Sequence, residues 1–401
     1  MEDGGRRMAD GRWQRDDLLS SIHYLLSSIH YPQFLFFLAG LFTGLAHLAR
    51  ADGPLPLIAI ALFHVSRFTF HVSARGLSLG RPTSHIPHLI SHISRLLPLL
   101  LGYLLIMAPW FSRNWLAIGT PLPSAGTQSI WLTTYDDLFS YGRELSLQTF
   151  LAQGFESIWQ GRWWALLTNL QTVIAVWGMI FLTPLVIVGA WQLRHHLLLQ
   201  LAGLYALLLF LTMTVVFAFP GARGGLFHSG AALMPFIYAT ALIGLDRSVE
   251  WVAARRRHWD AALAKQVFGI GLILLAVALS SFIYYGRVLK NNGWNSADAL
   301  YPTIAAWVTQ QNPAAIVMIG NPPAYRYHGG GLSLIVPNEP IEITLQAARH
   351  YHADYLILDQ NHPAPLAQIY TQTVTYPGLS LAQTFTDTAG NPVYIFKITQ
   401  P

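Results

Sequence analysis

The feature that most constrains the fold is a series of long apolar stretches with almost no charge. Hydrophobic residues make up 53% of the chain and charged residues 11%, whereas soluble domains carry about 25% charged residues. A helix needs about 20 apolar residues to cross a bilayer. We therefore expect an α-helical polytopic membrane protein with about seven transmembrane helices. The predicted spans are residues 33–49, 54–70, 93–110, 166–190, 196–219, 228–246 and 266–285.

The basic residues predict which side of the membrane each loop faces. Cytoplasmic loops carry an excess of Lys and Arg, and the densest basic loop is 247–265. Alternation along the chain then places loops 71–92 and 191–196 in the cytoplasm. The long loop 111–163 and everything after residue 286 fall outside. The sequence thus predicts a multi-pass protein of the cell membrane.

The C-terminal part of the chain has a different pattern. Short runs rich in β-formers alternate there with helical patterns, and Asn, Pro and Gly turns separate them. Strands are predicted at 315–319, 332–336, 355–358 and 393–398, and helices at 298–311 and 341–352. We expect a small extracytoplasmic α/β domain over 287–401. It follows a helical membrane domain over 33–286 and a polar, repeat-like tail over 1–32.

Composition also limits the cofactors and partners. The chain has no cysteine, so disulfides and thiolate metal sites are excluded. Three tracts, 20–32, 64–73 and 84–94, hold histidines at the period of short repeats. That regularity favours repeat expansion over metal binding. No cofactor is indicated, although a divalent metal is left open. Basic residues lie in short loops, so membrane lipid is the expected partner rather than nucleic acid.

The stretch APWFSRNWLAIGTPLPS, residues 108–124, holds the first candidate binding residues. The apolar run is predicted to end at Trp110, and Arg113 and Asn114 follow just above the outer surface of the bilayer. An arginine offers five donors in a fork that suits phosphate. The alternative is that Arg113 is an interface anchor that extends to lipid headgroups.

Further candidates lie at the same predicted membrane face. Arg50 and Asp52 occupy a very tight turn between the first two helices. They could contribute to a lipid phosphate site, or they could pair with each other across the turn. Arg223 and His228 flank the start of the sixth helix, where a Gly-rich turn allows close backbone approach. They are candidates to complete the same site.

These segments resemble a known family. GLFTGLAHLARADGPL (40–55) and APWFSRNWLAIGTPLPS (108–124) are similar to motifs of the GT-C superfamily of membrane glycosyltransferases. The likeness is to the branch of protein mannosyltransferases and Rgt-type lipopolysaccharide glycosyl transferases. The stretch 221–247 also resembles a late helix of that branch. The resemblance implies transfer of a sugar from a polyprenyl-phosphate donor to an extracytoplasmic acceptor, with inversion.

The resemblance also implies a missing part. Family members carry their catalytic acidic residue on a large first outer loop, with several helices before the G-L-A-x-L-x-R segment. Here that segment starts at residue 40. We therefore expect an N-terminally shortened enzyme that is incomplete as a catalyst, with a membrane fragment encoded upstream as its partner.

The sequence leaves open the role of two acidic residues and a second hypothesis for the function. Asp136 and Asp137 are weak candidates for acid–base or acceptor-binding roles, because they lie on the predicted outer loop. Loop carboxylates are more often only solvated. The competing hypothesis is a non-catalytic membrane protein: a degenerate fragment, a partner subunit or a permease-like scaffold.

Overall fold

The computed structural model describes residues 31–75, 85–123, 128–256, 258–290 and 298–399. Residues 1–30 of the predicted polar tail, and part of the His-rich tracts, lie outside the described residues. The chain divides into two compact units. The first comprises residues up to 127 with 193–213 and 224–236, and the second comprises 128–192, 214–223 and 237–401.

The first unit is helical. Its helices are α1 (Tyr31–Ala49), α2 (Pro54–Arg75), α3 (His85–Ile118), α7 (Leu197–Leu211) and the short α8 (Gly225–His228), followed by the 3₁₀ turn Ser229–Leu233. Glycines allow α1 and α3 to approach closely. A Cβ on Gly40 would meet the carbonyl of Leu99, and one on Gly102 would meet the carbonyl of Phe37. Small residues at such contacts are typical of helices that pack in lipid.

Helix α3 extends beyond the predicted end at Trp110. It includes Pro98 and Pro109 and runs to Ile118. The expectation that the helix ends on Trp110 was therefore wrong, and Arg113 lies inside the helix. Proline removes one backbone donor and one intrahelical bond, which the rest of this 34-residue helix tolerates. The chain turns only at Gly119, which has a positive φ of 75°.

The second unit contains the remaining long helices. They are α4 (Leu147–Ala152), α5 (Gly154–Thr172), α6 (Thr183–Gln192), most of α9 (Met234–Ala253) and α10 (Ala261–Tyr284). Helix α5 continues into the π-helical turn Val173–Trp177, and the chain then breaks at 178–182. Met179 and Ile180 adopt positive φ values there. The predicted span 166–190 is therefore not one continuous helix.

Four helical segments are long and apolar enough to cross a membrane. They are Leu96–Ile118, Leu197–Val216, Gly225–Ala253 and Ala261–Leu289. Two shorter apolar helices, Gln33–Ala49 and Pro54–Arg67, correspond to the first two predicted spans. Among the described residues, four helical segments are thus candidate membrane spans by length and composition. The full set of seven spans stays a prediction.

The C-terminal residues form a five-stranded sheet that includes the four predicted strands and one strand, Leu379–Thr386, that the sequence analysis did not predict. The strands are β1 (Val317–Ile319), β2 (Ser333–Ile335), β3 (Tyr355–Leu358), β4 (Leu379–Thr386) and β5 (Pro392–Ile398). Their order is β2-β1-β3-β5-β4. The first three are parallel, whereas β5 runs antiparallel to β3 and to β4.

Helices cover both faces of this sheet. They are α11 (Tyr301–Gln311), α12 (Pro322–Tyr327), α13 (Ile341–Tyr351) and the short α14 (Ala367–Tyr370). Successive strand residues point to opposite faces. Met318 accordingly packs in the cluster that contains Leu345 of α13, and Val317 packs in the cluster that contains Ile304 of α11. Two apolar cores therefore sandwich the sheet.

Candidate functional site

In the first unit, Arg50 and Asp52 form an ion pair across the turn between α1 and α2. The Nε of Arg50 lies 3.1 Å from the Oδ1 of Asp52. The turn is tight, because the amide of Gly53 donates to the carbonyl of Arg50 and α2 begins at the next residue. Arg50 and Asp52 therefore pair with each other across the turn, which was the alternative to a lipid phosphate site. The Asp52 side chain is only 7% exposed and that of Arg50 is 42% exposed.

A second donor fixes the Asp52 carboxylate. The hydroxyl of Ser229 donates to the Oδ2 of Asp52 at 2.6 Å. Gly225 allows this approach, because a Cβ there would meet the same carboxylate oxygen. The hydroxyl of Tyr205 donates to the carbonyl of Ser229 at 3.3 Å. A largely buried carboxylate therefore has a partner on each oxygen, as burial of a charge requires.

The sequence analysis did not identify Ser229 or Tyr205. Ser229 stands beside the predicted His228 in the Gly-rich segment, but 177 residues separate it from Asp52. No local pattern links residues that far apart. His228 itself packs edge-on against the ring of Phe227, with ring centroids 5.3 Å apart.

Arg113 and Asn114 lie in the last turns of α3, and their partners are uncharged. The Nη1 of Arg113 donates to the Oδ1 of Asn114 at 3.2 Å, and the guanidinium lies 5.1 Å from the centre of the Trp110 ring. Asn114 is 3% exposed and donates to the carbonyl of Pro121 at 3.2 Å. Asn114 therefore ties the turn after α3 to the helix, while Arg113 stays exposed.

The structure does not bring Arg113 into direct contact with the Arg50–Asp52 pair. Within the part of the chain that is described, no hydrogen bond or ion pair joins them. The shared phosphate pocket of Arg50 and Arg113 stays a prediction. Arg223 belongs to the second unit, so its surroundings are described separately.

In the second unit, Arg223 pairs with Asp136. Its Nη1 lies 2.7 Å from the Oδ1 of Asp136, and both side chains are about half exposed. The guanidinium also lies 5.1 Å from the centre of the Tyr135 ring, which in turn packs edge-on against Phe219. Exposed ion pairs contribute little, about 0–1 kcal/mol. The pair does, however, give both predicted site residues a partner of opposite charge.

Asp137 supports the fold of the loop that precedes α4. Its Oδ2 accepts the backbone N–H groups of Thr133 and Thr134, at 3.1 and 2.9 Å. The same oxygen lies 2.7 Å from the Nη2 of Arg143. This oxygen therefore joins two backbone amides and the Arg143 side chain within one stretch of the loop. Asp137 is therefore better placed to organise the loop than to act as a general base.

The loop that carries these residues docks onto the α/β domain. The Oε2 of Glu339 accepts the N–H groups of Tyr141 and Gly142, and the Tyr141 ring packs edge-on against Tyr351. The amide of Asn338 donates to the carbonyl of Phe139 at 3.1 Å. These contacts join residues nearly 200 positions apart, and sequence reasoning missed them.

Two polar residues at strand ends hydrogen-bond to the backbone of the turns that follow the strands. Asn321 follows β1 and caps α12 by accepting the amide of Ala324, and its side chain donates to Asp298 at 3.4 Å. Asp359 follows β3 and accepts the amide of Asn361 at 2.8 Å. Burial raises the pKa of the Asp359 carboxyl above its ordinary value. Across the described ranges, no three His, Asp or Glu side chains are grouped to hold a metal ion.

Comparison with known proteins assigns no family: no family model matches the chain, and no curated protein or solved structure is significantly similar to it. The fold and the two clusters therefore define a helical protein with four candidate membrane spans and a small α/β sheet. The glycosyltransferase resemblance is carried by the sequence motifs alone.

Proposed function

We propose that this protein is a GT-C-like membrane protein that binds a polyprenyl-phosphate-linked sugar and takes part in its transfer to an extracytoplasmic acceptor. The observation that carries the proposal is Arg113. It lies near the end of the candidate span Leu96–Ile118, it is exposed, and its described partners are an amide and an aromatic ring. A guanidinium without a carboxylate partner at a membrane surface suits a lipid phosphate.

Arg50 is the second proposed phosphate ligand. The Arg50–Asp52 pair uses the Nε of Arg50, and no described residue accepts a hydrogen bond from its terminal nitrogens. Asp52 is in turn held by Ser229. We infer that Asp52 and Ser229 position Arg50, and that Asp52 is not itself a ligand for the anion.

The proposal includes seven spans with the loop 111–163 and the α/β domain outside the cell. The break in the fourth span is compatible with this. The amide of Ile180 donates to the carbonyl of Ile174 at 2.9 Å, and that of Leu182 donates to Gly178 at 2.8 Å. The hydroxyl of Thr183 also donates to Ile174. Irregular backbone at membrane depth needs such internal partners.

Topology can be measured directly. A reporter fused after residue 258 should be active only in the cytoplasm, because it lies in the basic loop 247–265. One fused after residue 300 should be active only outside, because one apolar helix lies between the two positions. If both reporters are active on the same side, the orientation is wrong, and with it every site assigned to the outer face.

Lipid binding is the second test. The assay is the affinity of a purified polyprenyl-phosphate sugar for the protein in nanodiscs. Charge-assisted hydrogen bonds contribute about 1.5–3 kcal/mol each. Arg50→Ala and Arg113→Ala should therefore each weaken binding by about 10- to 100-fold. Arg113→Lys should recover part of the loss, because lysine restores the charge but not the fork.

A matched control separates binding from folding. Arg255 is another exposed arginine that stacks on a tryptophan, Trp251, at 3.9 Å, and it lies in the predicted cytoplasmic loop. Arg255→Ala should bind the lipid like wild type. If wild type binds no such lipid, or all variants bind equally, then Arg113 is an interface anchor and the proposed function fails.

The non-catalytic alternative also has a specific observation in its favour. Asp136 is paired with Arg223, and Asp137 is held by two amides and Arg143. Both acidic candidates therefore have partners that serve the local structure of the loop. A chain that binds the donor lipid but transfers no sugar would support a binding or partner-subunit role.

A further inference from the structure

One surface of the second unit is unusually apolar and belongs to neither candidate cluster. Large apolar side chains recur there at every fourth residue along α4 and α5, and each is about half exposed or more. They are Leu147 (51%), Leu151 (60%), Phe155 (80%), Trp159 (55%), Trp163 (48%) and Leu167 (49%). Residues four apart lie on one face of a helix, so the last four share a face of α5. Leu147 and Leu151 lie on α4, which is separated from α5 at Gly154, where φ is positive at 80°. We call this row the aromatic ridge.

The three central rings contact one another. The Phe155 and Trp159 centroids lie 6.3 Å apart at an interplanar angle of 14°, and those of Trp159 and Trp163 lie 6.0 Å apart at 20°. These distances are within the range of aromatic pair contacts. The ridge is therefore a continuous apolar surface rather than three separate side chains.

Residues beside and behind the ridge fix α5 in the protein. The guanidinium of Arg162 donates to the carbonyls of Leu132, Thr133, Val215 and Val216. Gly161 lies against the carbonyl of Thr133, and Ala165 is fully buried. Because these contacts set the rotation of α5, the ridge cannot turn inward to bury its own apolar surface.

We propose that the aromatic ridge inserts into the interface region of the lipid bilayer. Tryptophan favours this region, because its ring has an apolar body and a polar N–H. The row also continues into Leu170 and Ile174, which are 46% and 39% exposed and lie in the predicted span 166–190. The ridge is thus continuous with the surface that is predicted to face lipid.

The chemistry of the ridge favours lipid over the other partners of an aromatic surface. Its aliphatic ends, Leu147, Leu151 and Leu167, offer neither a ring face nor a hydrogen bond to a sugar. The neighbouring polar side chains, Glu156 and Gln160, hydrogen-bond to each other at 3.1 Å. No basic residue lies in the row, so insertion does not depend on anionic headgroups. This inference does not depend on sugar transfer.

The absence of cysteine from the chain allows a direct test. Phe155→Cys and Trp159→Cys each place a spin label on the ridge, and Gln160→Cys is the matched control on the adjacent polar row. The full-length protein is placed in nanodiscs of neutral phosphatidylcholine. Relaxation by oxygen is then compared with relaxation by a water-soluble nickel chelate. Labels at 155 and 159 should lie about 5–10 Å below the phosphates, and the label at 160 at the phosphate level or above.

If water, a second copy of the chain or a glycan contacts the aromatic ridge instead of lipid, the measurements should differ. Equal access of the nickel chelate to positions 155, 159 and 160 would show that the ridge lies in water and would overturn the proposal. Spin–spin broadening that appears only with two copies per disc would assign the ridge to contact between copies. Protection of the labels by a soluble oligosaccharide, but not by lipid, would assign it to glycan binding. Adding anionic lipid should leave the depths unchanged.

Discussion

Replacing Gly40 with alanine tests how closely the first and third helices pack. In the wild type, Gly40 faces the backbone of α3. Its added Cβ would meet the Leu99 carbonyl oxygen, and it would lie 2.9 Å from both the Leu99 carbonyl carbon and the Tyr103 amide nitrogen. Carbon atoms pack at about 3.5–4.0 Å. All of these atoms belong to backbone, so no side chain can rotate away.

The helices must therefore separate by more than about 0.5 Å to accept the methyl group. Such overpacking costs about 1–3 kcal/mol. Gly102→Ala introduces the same conflict from the other helix, against the Phe37 carbonyl. The double variant should lose less stability than the sum of the two, because one separation of the helices relieves both clashes.

The assay is thermal unfolding of the full chain in detergent, followed by size-exclusion chromatography. Gly203→Ala is the matched control, because Gly203 is also helical and a Cβ there has no neighbour within 4 Å. That control should gain about 0.5–1 kcal/mol, since alanine is the better helix former. If Gly40→Ala is as stable as wild type, then α1 and α3 do not pack as described here.

Two further perturbations test the second unit. Arg162→Met removes the donor to four carbonyls. It should lower stability by about 3 kcal/mol or more and increase tryptic cleavage after Arg143, whereas Gln160→Met should do neither. Asp359→Asn should raise the unfolding temperature at pH 7, because burial raises the pKa of Asp359 and the folded state therefore disfavours its charge. The gain should vanish below about pH 3.9, where the carboxyl is protonated in both states. A pH-independent gain would contradict this explanation.

The sequence predicts the α/β domain well where its strands are buried. The runs 315–319, 332–336, 355–358 and 393–398 each contain a strand, because each is a short run of mostly apolar residues bounded by turn residues. Strands β1 and β3 are fully buried, whereas β2 lies at an edge of the sheet and is half-buried or exposed. Strand β4 was missed. Its residues alternate between half-buried and exposed at the edge of the sheet, so LSLAQTFT shows no apolar run. Strand β2 lies at the other edge of the sheet and was predicted, so the polar residues of β4, and not its edge position alone, explain the miss.

In the helical part of the chain, local sequence patterns predicted one helix end wrongly and could not predict long-range contacts. The prediction that α3 ends at Trp110 rested on Pro109 and on the change to polar residues after it. Proline disfavours a helix interior, but the flanking helix keeps its remaining bonds through Ile118. The contacts Asp52–Ser229 and Tyr141–Glu339 join residues 177 and 198 positions apart. Such pairs depend on tertiary packing, which no local motif contains.

The partners of the three arginines rank them as phosphate ligands. Arg50 lies against Asp52, and Arg223 lies against Asp136, so each arginine brings a carboxylate that repels an incoming anion. The partners of Arg113 are the amide of Asn114 and the ring of Trp110, which carry no charge. Like charges within about 4–6 Å disfavour each other. If a lipid phosphate binds here, Arg113→Ala should therefore weaken its binding more than Arg50→Ala, and Arg223→Ala should have the smallest effect. A larger loss from Arg50→Ala than from Arg113→Ala would mean that Arg113 anchors α3 and that the anion binds beside the Arg50–Asp52 turn.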